Sequence, residues 1–114
     1  MSLEIINPNV LKEVCGEDTA ILKELIDLFL EQSPLQLHAI EKALEAASFD
    51  TLKTAAHTLK GSVSYIGAQA MLKITQDIEQ QACHKDLQAC KALLAELKVA
   101  FTHTQEALKI FGVS

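Results

Sequence analysis

Apolar positions recur along the chain at steps of three and four, and no segment alternates polar and apolar residues as a strand would. Punctuation divides this helical pattern at short intervals. Asn7-Pro8 reads as an N-cap followed by proline at the first helical position, and it opens a short helix that stops before Gly16. Asp18 is placed to cap a second helix with Leu22, Leu25, Ile26 and Phe29 along one side. Ser33-Pro34 repeats the cap-then-proline signal, so a fresh helix is predicted there, with Leu37, Ile40, Leu44 and Ala47 inward.

Asp50 then reads as the cap of a helix over residues 50–67, whose buried stripe is Leu52, Ala55, Ala56, Leu59, Val63 and Ile66. Gly67 is well placed to end it in the left-handed conformation. The next helix runs to about His84 on Met71, Ile74, Thr75, Ile78 and Ala82. Asp86 opens the longest, on Leu87, Cys90, Leu94, Leu97, Phe101, Thr104, Leu108 and Phe111, which step by three and four like a bundle seam. Connections of a few residues make successive helices antiparallel. The predicted fold is all-α: an up-down-up-down four-helix bundle, with one or two short N-terminal helices packed across it.

Composition narrows the field. The chain has 114 residues, 49% hydrophobic and 4% aromatic, which suits one helical domain spanning residues 1–114. No apolar run reaches the roughly 18 residues of a membrane span, and no basic-then-apolar leader opens the chain. A cytoplasmic domain is expected. Met1-Ser2-Leu3 has the look of an expression scar, and the compact length suits a C-terminal domain excised from a longer protein. Net charge is −5, carried against ten lysines and no arginine, so nucleic-acid binding is not expected. Without an arginine fork, any phosphate must be held by lysine, by backbone groups or by a partner. Cys15, Cys83 and Cys90 are an odd set of thiols without paired CxxC spacing, so reduced cysteines are expected and no metal site.

The outer face of the 50–67 helix carries more than packing requires. His57 falls roughly 150° from the centre of the buried stripe, facing solvent, with Lys53, Lys60, Gly61 and Ser64 as its neighbours. A mid-helix glycine costs about 1 kcal/mol relative to alanine. Nothing inside the chain calls for Gly61, so something outside it must approach there. An imidazole, an ammonium and a cleared surface together indicate transient covalent chemistry at a docking site.

His57-Thr58-Leu59-Lys60-Gly61-Ser62, followed by Ile66-Gly67-Ala68, closely resembles the histidine phosphotransfer (HPt) family of two-component phosphorelays. The resemblance also takes in Phe29-Leu30-Glu31, the Ala55-Ala56 lead-in and the Ile78-Glu79 pair, and so covers nearly the whole chain. It implies a four-helix bundle that is a phosphocarrier rather than an enzyme. The family's histidine takes a phosphoryl group from an aspartate on one receiver domain and passes it to an aspartate on another. On that footing His57 is the expected phosphoacceptor. Its Nε2 would attack while the proton stays on Nδ1, an imidazole titrating near pH ~6.5 being an adequate nucleophile. The resemblance places Glu79 where the family commonly carries a glutamate or glutamine contacting the histidine. Lys60 would offset charge on the phosphoryl oxygens, Gly61 would admit the receiver's loops, and Lys53 and Ser64 would be rim contacts. Ser62, near the edge of the stripe, reads as a small packing residue. Where many members place a basic residue four positions after the glutamate, this chain has Cys83.

No glycine-rich phosphate loop and no Mg²⁺-ligating carboxylate motif is present, so self-phosphorylation from ATP is not expected. No intrinsic cofactor is expected either, the Mg²⁺ being the receiver's. The expected partners are response-regulator receiver domains, engaged transiently by a monomer, with a hybrid sensor histidine kinase as a further partner or as the parent chain. Two other classes remain. A non-relaying adaptor with the same shape would be free to lose the histidine or the lysine. A kinase dimerisation domain would be a two-helix hairpin with an acidic residue after the histidine, where this chain has Thr58.

Overall fold

The computed structural model describes residues 8–16 and 18–113, which form five helices: α1 (Pro8–Cys15), α2 (Thr19–Glu45), α3 (Phe49–Ile66), α4 (Gln69–Cys83) and α5 (Leu87–Val113). No strand forms among them. Helices α2 to α5 make the bundle, and the short α1 packs against α2 and α3. The longest dimension, 42 Å, is that of a 27-residue helix at about 1.5 Å per residue. Asn7, expected to cap α1, and the side chain of Phe111 lie outside what is described.

The centre of the core falls on positions the periodicity marked, although Leu22, Leu25, Ala55, Ile74, Leu87 and Leu94, marked as well, are half-buried, and Ala43, Ala100 and Ala107, unmarked, are buried. Ile26, Phe29, Leu37, Ile40, Leu52, Leu59, Val63, Ile66, Met71, Ile78, Leu97 and Leu108 are all buried. Burying a side chain of this size contributes about 1.5–3 kcal/mol, so the interlocked stripes dominate stability. Three buried hydroxyls enter the core without cost in unpaired donors, because each donates to a carbonyl of its own helix: Ser33 to Phe29, Thr75 to Met71 and Thr104 to Ala100. Between helices, Lys98 Nζ of α5 lies 3.0 Å from Glu41 Oε2 of α2.

Three expectations need correction. Ser33-Pro34 does not restart a helix: α2 runs unbroken from Thr19 to Glu45 with Pro34 inside it. The stripe Ile26, Phe29, Ser33, Leu37, Ile40 and Leu44 passes through this point in phase, and Pro34 faces solvent. Packing of a continuous face outweighs the hydrogen bond that proline cannot donate to the Leu30 carbonyl. Ala47 is exposed rather than inward, because it makes the α2–α3 turn at φ 52°. Asp50 sits in the first turn of α3 and Ser48 is the N-cap, its hydroxyl 2.8 Å from that of Thr51.

Turns after α1, α2, α3 and α4 use left-handed residues: Gly16, Ala47, Gly67 and Lys85. Gly67, at φ 77°, ends α3 as its sequence position suggests, and its N–H and that of Ala68 both reach the Val63 carbonyl. Asp18 and Asp86 cap α2 and α5 through their carboxylates.

Replacing Pro34 by alanine restores a donor to the Leu30 carbonyl on an exposed face. Pro34→Ala is therefore expected to raise stability by about 1 kcal/mol, net of the extra freedom the unfolded chain gains, as read by urea denaturation. A loss of stability would mean that Leu37 and Ile40 need the proline to reach their places.

Candidate functional site

The buried stripe of α3 fixes what the helix shows to solvent. With Leu52, Ala56, Leu59, Val63 and Ile66 turned inward, His57, Gly61, Lys53 and Ser64 are outward and exposed. The His57 side chain is 72% exposed. A Cβ built on Gly61 would meet nothing within 4 Å. The glycine therefore serves no internal contact, and the open space above it is available to another molecule.

Helix α4 runs back along α3 and brings Glu79 to this face. Glu79 Oε2 lies 3.7 Å from His57 Nδ1, and Oε1 lies 3.0 Å from Lys60 Nζ. Lys60 is half-buried, at 29% side-chain exposure, and Glu79 is at 24%. Oε1 is shielded from water and its lysine neighbour approaches outside hydrogen-bond alignment, so the contact is a charge pair, not a directed bond. The carboxylate thus stands between an ammonium and the ring nitrogen on the far side from Nε2, which leaves Nε2 as the ring atom free to meet a partner. The geometry joins His57, Lys60 and Glu79 into one cluster.

The other candidate residues lie apart from this cluster. Lys53, one turn before His57, is exposed. Ser64 donates its hydroxyl to the Lys60 carbonyl at 2.8 Å. Ser62 is half-buried beside Tyr65; burial pushes the Tyr65 phenol above its ordinary value, and its hydrogen bond with Ser62 opposes part of that rise. Cys83 ends α4 one turn beyond Glu79 and is exposed, whereas Cys90 is buried, its thiol pushed up first by burial and then by the Asp86 charge. Cys83 and Cys90 thus face different surroundings, and among the described residues no group of three His, Cys, Asp or Glu side chains gathers as a metal site. No helix among them is long and apolar enough to cross a membrane.

Exposed apolar residues on α2 were not singled out by the sequence reading. Leu28 is 46% and Leu35 67% exposed. Counted back from the 46–48 turn at about 1.5 Å per residue, Leu35 stands level with Lys60 on the adjacent helix. Their signal was visible as two leucines one heptad apart outside the core stripe. A separate cleft of about 340 Å³ lies between α4 and α5, lined by Ala70, Ile74, Glu96, Val99, Ala100 and His103. Ile74 is roughly 140° around α4 from Glu79, so this cleft and the His57 cluster open to different sides.

The family model of the Hpt domain matches residues 24–107. The chain is also similar to the crystal structure of histidine-containing phosphotransfer protein B (HptB) from Pseudomonas aeruginosa PAO1. The two share 25% identity over 92% of this chain and 91% of that one, with a TM-score of 0.86. No curated protein matches the chain.

Because Gly61 is helical and open above, alanine there meets no clash and gains helix propensity. Gly61→Ala is expected to stabilise the fold by about 1 kcal/mol in urea or thermal denaturation. Destabilisation would show that the glycine answers an internal need.

Proposed function

The chain belongs to the Hpt domain family, and we propose on that footing that it is a phosphorelay intermediate whose phosphoacceptor is His57. Histidine phosphotransfer is the family's role. What supports placing it at His57 is the cluster itself, an exposed imidazole with a carboxylate behind Nδ1, an ammonium beside it and a cleared helix surface in front.

In this reading a receiver domain docks over α3 and presents an aspartyl phosphate to Nε2. Glu79 Oε2 stands 3.7 Å behind Nδ1, beyond hydrogen-bond reach, and orients the ring once docking closes that gap and the carboxylate accepts from Nδ1–H, as partners of functional imidazoles do elsewhere. Lys60 offsets charge on the phosphoryl oxygens, in a reaction governed by positioning and electrostatics. Gly61 admits the receiver's loops, Lys53 and Ser64 meet its rim, and Leu35 and Leu28 supply apolar contact. The receiver brings the Mg²⁺ and the aspartate, and this chain supplies neither. The interface is small and exchanges quickly, as a shuttle between two receivers requires. The domain acts as a monomer in the cytoplasm, served by or joined to a hybrid sensor kinase. A non-relaying adaptor would have no use for Glu79 held within 4.0 Å of both His57 and Lys60, so the relay reading is preferred.

Incubation with a phosphorylated receiver is expected to label His57 with an acid-labile, base-stable phosphate, located by mass spectrometry. His57→Gln should abolish the label, and retained labelling would sink the assignment. Lys60→Ala should slow transfer by roughly 10- to 100-fold with the circular dichroism spectrum unchanged. Gly61→Gln should block transfer by occupying the open space; an unaltered rate would show that no partner comes close at that point.

A further inference from the structure

One carboxylate, Glu79, serves two donors that are not equivalent. Its Oε1 lies 3.0 Å from the Lys60 ammonium, a permanent cation, while Oε2 lies 3.7 Å from Nδ1 of a ring that is neutral when it acts as nucleophile. With the ring uncharged, the stronger attraction is to Lys60, so in the unphosphorylated protein the lysine is paired with the carboxylate. Yet the pair is misaligned for a hydrogen bond and Oε1 is otherwise unsatisfied. No directed hydrogen bond has to break for Lys60 to leave, and the charge the carboxylate then loses must be replaced by a second cation at its other oxygen.

Phosphoryl transfer reverses this balance. Nε2 attacks the phosphorus of the partner's acyl phosphate, an N–P bond forms, and the P–O bond breaks with its electron pair leaving on the partner's carboxylate. The proton on Nδ1 has not moved, so the ring now carries a full positive charge beside Oε2. At the same moment the dianionic phosphoryl group arrives one helical turn from Lys60. We infer that Glu79 exchanges partners during the reaction, holding Lys60 before transfer and the phosphorylated imidazolium after it, and so releases Lys60 to the phosphoryl oxygens only when they are there to receive it. The inference rests on His57 being the phosphoacceptor. It makes Glu79 a positioning residue that acts through both of its neighbours rather than through the ring alone.

Helix α3 contributes Lys53, Lys60 and, two turns before His57 on the same face, Asp50; helix α4 contributes Glu79 and, one turn on, the Cys83 thiol; helix α2 carries the exposed His38. Among the described residues Glu79 is the carboxylate within 4.0 Å of the His57 ring, so removing its charge takes away the ring's nearest anion.

Glu79→Gln keeps the size and the acceptor for Nδ1–H while deleting the charge. With a phosphorylated receiver as donor, His57 of this variant should still be labelled, about tenfold more slowly than in the wild type. The phosphorylated imidazolium should give up its proton more readily. The pH profile for spontaneous loss of phosphate should therefore lie at lower pH than the wild-type profile. In the wild type, the ¹⁵Nζ resonance of Lys60 should move on phosphorylation; in Glu79→Gln the unphosphorylated protein should already lack the wild-type resting shift. Superimposable decay profiles, or a Lys60 resonance indifferent to phosphorylation in the wild type, would overturn the exchange. Absence of any label on wild-type His57 would instead overturn the assignment of the phosphoacceptor, so the two failures are distinct.

Discussion

Packing of α3 against α4 is the contact on which the site depends. The α3 stripe from Leu52 to Ile66 and the α4 stripe from Met71 to Ala82 are both buried, and each fixes the rotation of its helix to within a few tens of degrees. Rotation then decides everything at the surface. His57 and Gly61 face outward because Ala56 and Leu59 face inward, and Glu79 reaches His57 and Lys60 because Ile78 is turned into the core. Gly67 sets the register by ending α3 in one tight turn and sending α4 straight back. A site of three polar side chains thus costs the fold little, since apolar residues on the opposite sides of the same helices do the holding.

Much of this was legible in the sequence. The α3 stripe, the outward placement of His57 and the oddness of Gly61 follow from a period of 3.6 and a known propensity penalty, and both are local properties. The break expected at Ser33-Pro34 was not, because a cap-then-proline signal is local whereas the stripe it would interrupt is anchored by two other helices. Core packing of Phe29 and Leu37 on either side carried α2 through. Ala47 and Asp50 were misplaced by one or two residues for the usual reason, that turn geometry and not periodicity sets a helix boundary. Glu79 was marked only through resemblance, and its approach to Lys60 was not foreseen at all. That pairing needs the register between α3 and α4 to within one residue, which no pattern inside either helix contains.

Electrostatically the domain is a sparse site on an acidic protein. Ten lysines and no arginine stand against fifteen carboxylates, and the His57 face carries two of those lysines, of which Lys60 pairs with Glu79. No phosphate-binding loop or metal cluster accompanies them among the described residues.

The central claim is that the outer face of α3, with Glu79 beside His57 and Lys60, is half of an active site completed by a receiver domain. The most direct test is a map of where a receiver lands, by backbone-amide NMR shifts of the isotope-labelled chain titrated with a receiver carrying an aspartyl-phosphate mimic. The account predicts that the shifts concentrate on His57, Gly61, Ser64, Glu79 and Leu35. Shifts gathered instead at Ala70, Val99 and His103, with the His57 face unmoved, would contradict it.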